Sequence, residues 1–90
     1  MTNITVKPLD DGSFEVSVQA SAPTVHLVTV SAAYAEKLTS GKVSVPVLIR
    51  SCFDFLLERE SNTSILRRFD LSVIGHYFPE FEQQIGQRLK

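Results

Sequence analysis

One cysteine, two histidines and a few close pairs of carboxylates are the residues of this chain that could do nucleophilic, metal or acid–base chemistry. Cys52 would need a basic neighbour to lower its pKa before it could act as a nucleophile. It falls instead between Ile49 and Phe53/Leu56 at helical spacing, with Arg50 and Ser51 turned to other faces. A cysteine in that setting behaves as a small buried hydrophobe. His26 and His76 are far apart, and neither belongs to a ligand-spaced cluster of the H-x-x-x-H kind. Asp10-Asp11 stands before Gly12, where turn chemistry accounts for it. Glu80 and Glu82 follow Pro79 and suit the first turn of a helix, where negative charge meets the positive end of the dipole. None of these pairs, nor Glu58/Glu60, has a companion that would split its pKa values, as acid–base catalysis requires. The four glycines are isolated, so no loop is built to cradle phosphate. The chain therefore presents no catalytic, metal-ligating or cofactor-binding motif.

The arginines form the other chemical feature. Arg67-Arg68, with Arg50, Arg59 and Lys42, could make a basic patch, but Asp54, Glu58, Glu60 and Asp70 are interleaved with them. That pattern reads as a solvated face. A formal net charge of −1 argues against general binding of polyanions.

The elements that must position these residues change character once along the chain. Up to Ser31 the hydrophobic period is two; beyond it the period is helical. Ile4 and Val6 alternate with polar residues, as do Phe14, Val16, Val18 and Ala20, and Asp10-Asp11-Gly12 between them predicts a β-hairpin. Pro8 suits an edge strand. After Ala22-Pro23, Val25–Val30 predicts a third strand, with Val25 and Leu27 on one side and His26, Val28 and Val30 on the other. Apolar residues on both sides suggest a strand covered on both faces or meeting another chain.

Ser31 predicts an N-cap for a helix through Leu38, which Ser40-Gly41 ends. Ser44 and Pro46 open a second helix from about Val45 to Glu60. Its stripe is Leu48, Ile49, Cys52, Phe53, Leu56 and Leu57, with Arg50 and Asp54 able to pair on the polar side. Asn62-Thr63-Ser64 reads as a cap-rich loop, Ile65–Phe69 as a short helical turn, and Asp70 as the cap of a helix from Leu71 to Phe78. Pro79 breaks that helix and starts the last one, with Phe81, Ile85 and Leu89 on one stripe and Arg88 and Lys90 at its negative end. The expectation is a single α+β domain over 1–90. A small antiparallel three-stranded sheet (1–31) packs against a helical half (32–90).

With 90 residues, 43% of them hydrophobic and 21% charged, the chain has the composition of one ordinary globular domain rather than of a disordered segment. A secreted domain this small is usually stapled by disulfides, so a single cysteine points to a reducing, cytoplasmic setting. The first residues lack the basic start and apolar core of a signal peptide, and no apolar run approaches the roughly 20 residues of a membrane span. The sequons at Asn3 and Asn62 are then chance matches.

Two resemblances bear on function. Phe53-Asp54-Phe55-Leu56-Leu57-Glu58-Arg59-Glu60, followed by Ser64-Ile65-Leu66 and Tyr77-Phe78-Pro79-Glu80, resembles small bacterial proteins that carry no assigned function. It covers the C-terminal half and implies no site. His26–Arg59, a strand, a helix, a glycine turn and a helix, resembles a ribbon-helix-helix unit. That family pairs strands from two chains into a ribbon that reads the DNA major groove. The resemblance would give roles to His26, Arg50, Arg67 and Arg68. This strand departs from the pattern in offering no Lys or Arg to bases, the first helix is short, and the upstream hairpin competes for the strand edge.

The aromatics carry the functional expectation. Phe53, Phe55, Phe69, Tyr77, Phe78 and Phe81 fall in one stretch, out of six Phe and two Tyr in the chain. Phe55 lies off the main stripe of its helix, and Tyr77, Phe78 and Phe81 flank the break at Pro79. Exposed rings mark interfaces. The expected function is a non-catalytic module that binds a protein partner or itself through Phe55, Tyr77, Phe78 and Phe81. A ribbon-helix-helix DNA-binding regulator is the alternative, and an enzyme without a motif is third. No membrane, metal or cofactor is expected.

Overall fold

Gly12, at a φ of +86°, takes the left-handed conformation that the hairpin turn requires. Asp11 accepts the backbone N–H of Ser13 and fixes the turn from the side. The computed structural model describes residues 3–89. Lys90, expected at the end of the last helix, lies outside them. The turn joins β1 (Asn3–Pro8) to β2 (Phe14–Gln19), and β3 (Thr24–Thr29) pairs antiparallel with β2. The register stacks apolar rows on one face: Ile4 opposite Val18, and Val6 opposite Val16, which faces His26. β1 is an edge of the sheet, so Pro8 removes no ladder donor that a neighbour needs.

The sheet has four strands and is mixed, not three strands and antiparallel. β4 (Arg68–Asp70) runs parallel to β3, with Val28 opposite Phe69, and the order is β1-β2-β3-β4. The expected helical turn at Ile65–Phe69 is therefore corrected. The physical reason is length and distance. One apolar residue between Arg68 and Asp70 is too short a run to show a period. The contacts that extend it come from β3, with the Thr29 hydroxyl donating to Asp70 at 2.8 Å across 41 positions.

The described residues form four helices on one side of the sheet, α1 (Ala32–Thr39), α2 (Val45–Leu57), α3 (Ser72–Tyr77) and α4 (Phe81–Arg88), with α2 and α3 against strands and α1 and α4 packed on the other helices. The Ser31 hydroxyl accepts the Tyr34 N–H at 3.1 Å, and Ser40 and Gly41, both at positive φ, stop α1. Ser44 and Pro46 start α2, which ends three residues earlier than expected, at Leu57. The Asp70 carboxylate accepts the Ser72 N–H at the start of α3. Pro79 separates α3 from α4. Leu48, Ile49, Cys52, Phe53 and Leu56 of α2 are buried, as the helical stripe predicts. The opposite face of the sheet bears no helix among the described residues. Val25 is 49% exposed there, so β3 is covered on one face rather than two.

Candidate interaction surface

α2 is buried on two sides, and this decides where the aromatics go. Phe53 faces the sheet, with its ring 5.3 Å from His26 and 6.0 Å from Phe69. Phe55, two residues on, points to the other side and is 0% exposed. Its ring meets Phe81 at 5.3 Å and Phe78 at 5.9 Å, both edge-on, the arrangement that ring quadrupoles favour. Arg59 closes this cluster from outside. Its guanidinium lies 3.7 Å from the Phe55 ring centre, donates to the Phe55 carbonyl, and pairs with Glu80. Glu58 is bound by Arg88, whose hydrogen bond and charge hold its carboxyl below the usual range. Phe55 and Phe81 thus have no surface to offer a partner. The off-stripe position of Phe55 reflects a second helix contact, not exposure.

On the other side of α3 the packing stays open. An apolar groove of about 220 Å³ lies between the C-terminal end of α2, residues 64–66, β4 and α3. Its lining is Leu56, Ile65, Leu66, Phe69, Val73, Ile74, Tyr77 and Phe78, with Glu60 and Ser64 as the polar members. Tyr77 is 67% exposed and Leu66 49%, so two large apolar side chains stand at its lips. Phe78 is half-buried and belongs to both regions. Tyr77 was singled out by sequence; Leu66 was missed. No local signal marks Leu66: only in the extended segment that the structure shows does alternation let just one of the neighbours Ile65 and Leu66 face inward. Ile65 is the buried one.

The groove lip is pinned by a buried polar chain. A single 3-10 turn, Asn62–Ser64, follows α2. The Asn62 amide donates to the Ala22 carbonyl at 2.8 Å and to the Thr24 hydroxyl at 2.9 Å. His26 Nδ1 lies 2.8 Å from the Leu66 carbonyl, and Nε2 lies 2.8 Å from the Thr24 hydroxyl. A carbonyl can only accept, so Nδ1 carries the proton and Nε2 accepts from Thr24. Burial lowers the His26 pKa, and the charge of Arg67 adds to this, against the opposing pull of the Leu66 carbonyl. His26 is therefore a neutral strut between β3 and the groove lip, not an outward-facing base reader. β3 itself has β2 on one edge and β4 on the other.

The remaining candidates are dispersed. Arg50 is exposed on α2, while Arg67 and Arg68 lead into β4. None of the three pairs with a carboxylate among the described residues, so the expected Arg50–Asp54 pair does not form. Cys52 is fully buried, and burial pushes its thiol pKa far up. Among the described residues no three His, Cys, Asp or Glu converge on a metal site, and no helix is long and apolar enough to cross a membrane. Comparison with protein-family models, with curated proteins and with solved structures returns no match.

Proposed function

We propose that this chain is a non-catalytic interaction module, held in the reducing cytoplasm, that binds another protein through the groove beside α3. The observation that carries the reading is the pairing of Tyr77 and Leu66, exposed together at the lips of an apolar groove. The other rings of the helical half are buried or half-buried. A partly open groove of about 220 Å³ is smaller than the roughly 300–1,000 Å³ typical of cofactor and small-molecule sites, and fits one or two partner side chains instead. Apolar anchors inserted in such a groove dominate binding energy at interfaces.

The test compares proteins captured from the native cell by the wild-type chain and by Tyr77→Ala at equal folded concentration. Species held by the wild type and lost by the variant support the reading; identical captured sets overturn it. The same reading requires that random duplex DNA at low salt gives no binding in a fluorescence titration. Micromolar affinity that vanishes on raising salt would instead report phosphate contacts and favour a DNA-binding regulator.

A further inference from the structure

We infer that the groove's partner is an extended peptide that adds to the sheet as a fifth strand along β4, its apolar side chains entering the groove and its acidic ones lying beside Arg68. This rests on the groove reading above and names the kind of partner.

The first observation is the edge of β4. Leu27 N–H donates to the Arg67 carbonyl at 2.7 Å and Leu71 N–H to the Thr29 carbonyl at 2.9 Å. With Leu27 opposite Arg68 and Thr29 opposite Asp70, Phe69 supplies the ladder bonds between them. The N–H and C=O of Arg68 then point away from β3, and they have no partner among the described residues. An open strand edge is a template for another chain. The other edge, β1, is blunted by Lys7 and Pro8, the residues that protect edges from pairing.

The second observation is what lies beside that edge. Side chains of a strand alternate between faces. Phe69 points inward and lines the groove, while Arg68 stands on the open face across from Leu27. An added strand would place every second side chain over the groove between Phe69, Ile74 and Tyr77, and the others next to Arg68. Extended peptides that augment a sheet are recognised in this way, by backbone bonds along the edge and pockets for alternate side chains.

Charge sets the identity of the alternate residues. Arg68 is exposed on the open face and makes no salt bridge among the described residues; Asp70 on the same face is taken up by the Thr29 and Ser72 hydroxyls, and Asp11 acts on Arg68 only through its more distant charge, so the partner side chain beside Arg68 is acidic. Glu60 lines the groove and repels a carboxylate there, so the inward residue is apolar. β4 is only three residues long. The ladder is therefore short, and the inserted apolar side chains carry most of the affinity.

The probes are two end-capped synthetic octapeptides, one alternating valine with aspartate and one alternating valine with lysine, titrated into the ¹⁵N-labelled full chain. The valine–aspartate peptide is expected to shift the Tyr77 and Leu66 signals and to slow exchange of the Arg68 amide at least about tenfold, because that N–H becomes bonded. Its preference over the lysine peptide is expected to reverse in Arg68→Glu, by about two- to fivefold for each opposed pair. Arg68→Glu changes an exposed side chain, and its melting curve checks that it folds. Binding without protection of the Arg68 amide means a helical or end-on occupant and overturns the strand inference, as does failure of the aspartate peptide to bind. In either case the groove reading still stands or falls separately, on the Tyr77→Ala capture comparison.

Discussion

Two apolar groups lie on either side of Phe78, and they are built to opposite ends. Phe55 and Phe81 are sealed: each is fully buried, and Arg59 stacks on the outside of the cluster with Glu80 holding it in place. Tyr77 and Leu66 are left open over a groove, although the groove has apolar residues enough to cover. The same chain that invests a stacked guanidinium in closing one group leaves the other unroofed. This contrast, an apolar surface left open beside one that is closed, is what the proposed partner site rests on.

The sharpest way to break this comparison is Phe55→Ala. Truncating a buried ring costs about 3–5 kcal/mol, and here it also leaves Arg59 stacked on nothing. A domain of 90 residues has of order 5–13 kcal/mol in total. The melting temperature is expected to fall by more than about 12 °C. A drop of only a few degrees would mean that the sealed cluster is not sealed in solution.

Asn62→Ala comes next. It removes the donor to the part-buried Ala22 carbonyl and to the buried Thr24 hydroxyl oxygen, and leaving the latter without a donor costs about 1–3 kcal/mol. The loss should be local to the groove lip. Amide exchange should rise at residues 61–67 while the amides of α4 keep their protection. Uniform acceleration along the chain would show that the lip and the sealed cluster are one cooperative unit.

Much of this architecture is legible in the residues themselves. Gly12, Ser31, Ser40-Gly41, Ser44-Pro46 and Pro79 punctuate the chain where the elements turn, because each meets a local backbone requirement. What local rules miss is set by distant contacts. β4 exists because β3 offers it an edge across the two intervening helices, and nothing in Arg68-Phe69-Asp70 alone says so. Phe55 looks exposed on a helical wheel drawn for one buried face, and α2 has two. Of the groove, Tyr77 could be singled out from its place before Pro79. Leu66 could not, since its exposure follows from Ile65 taking the inward position in a segment whose extended form comes from pairing.

A smaller effect is expected with acid. The folded pKa of His26 is depressed below its ordinary 6.5. The unfolded chain therefore binds a proton first as pH falls. Its contribution is fully present above about 6.5 and is lost as pH drops toward the folded value. The shifted carboxylates, Asp11, Glu58, Asp70 and Glu82, start from 3.8 or 4.5 and are all lowered, so their losses come at still lower pH. Between about 6.5 and 5.5, before the unfolded glutamates begin to protonate, the decline in urea-unfolding free energy thus belongs to His26. In His26→Gln that stretch of the pH profile should be flat, even though the variant is less stable throughout. A slope that survives the substitution would assign the decline to another group and remove His26 as the strut of the groove lip.

The smallest expected effect on stability is the most informative for the open side. Tyr77 is 67% exposed, so little of its ring leaves water on folding and little is returned by cutting it to alanine. Surface substitutions of this kind stay within about 0.5 kcal/mol, which for a domain of this size is no more than about 4 °C in melting temperature. Its position late in α3 does not change this, since alanine is the better helix former. Leu66→Ala, at the facing lip, should behave alike, and the double variant should be close to the sum of the two if neither ring nor methyl group is packed in the isolated chain. The binding cost of the same truncation is expected to run the other way, at about 2 kcal/mol or more, because an anchor ring counts only once a partner covers it. Melting and binding therefore separate the two apolar groups by opposite responses. A fall of more than about 8 °C in Tyr77→Ala would place Tyr77 with Phe55 in the core and dissolve the distinction.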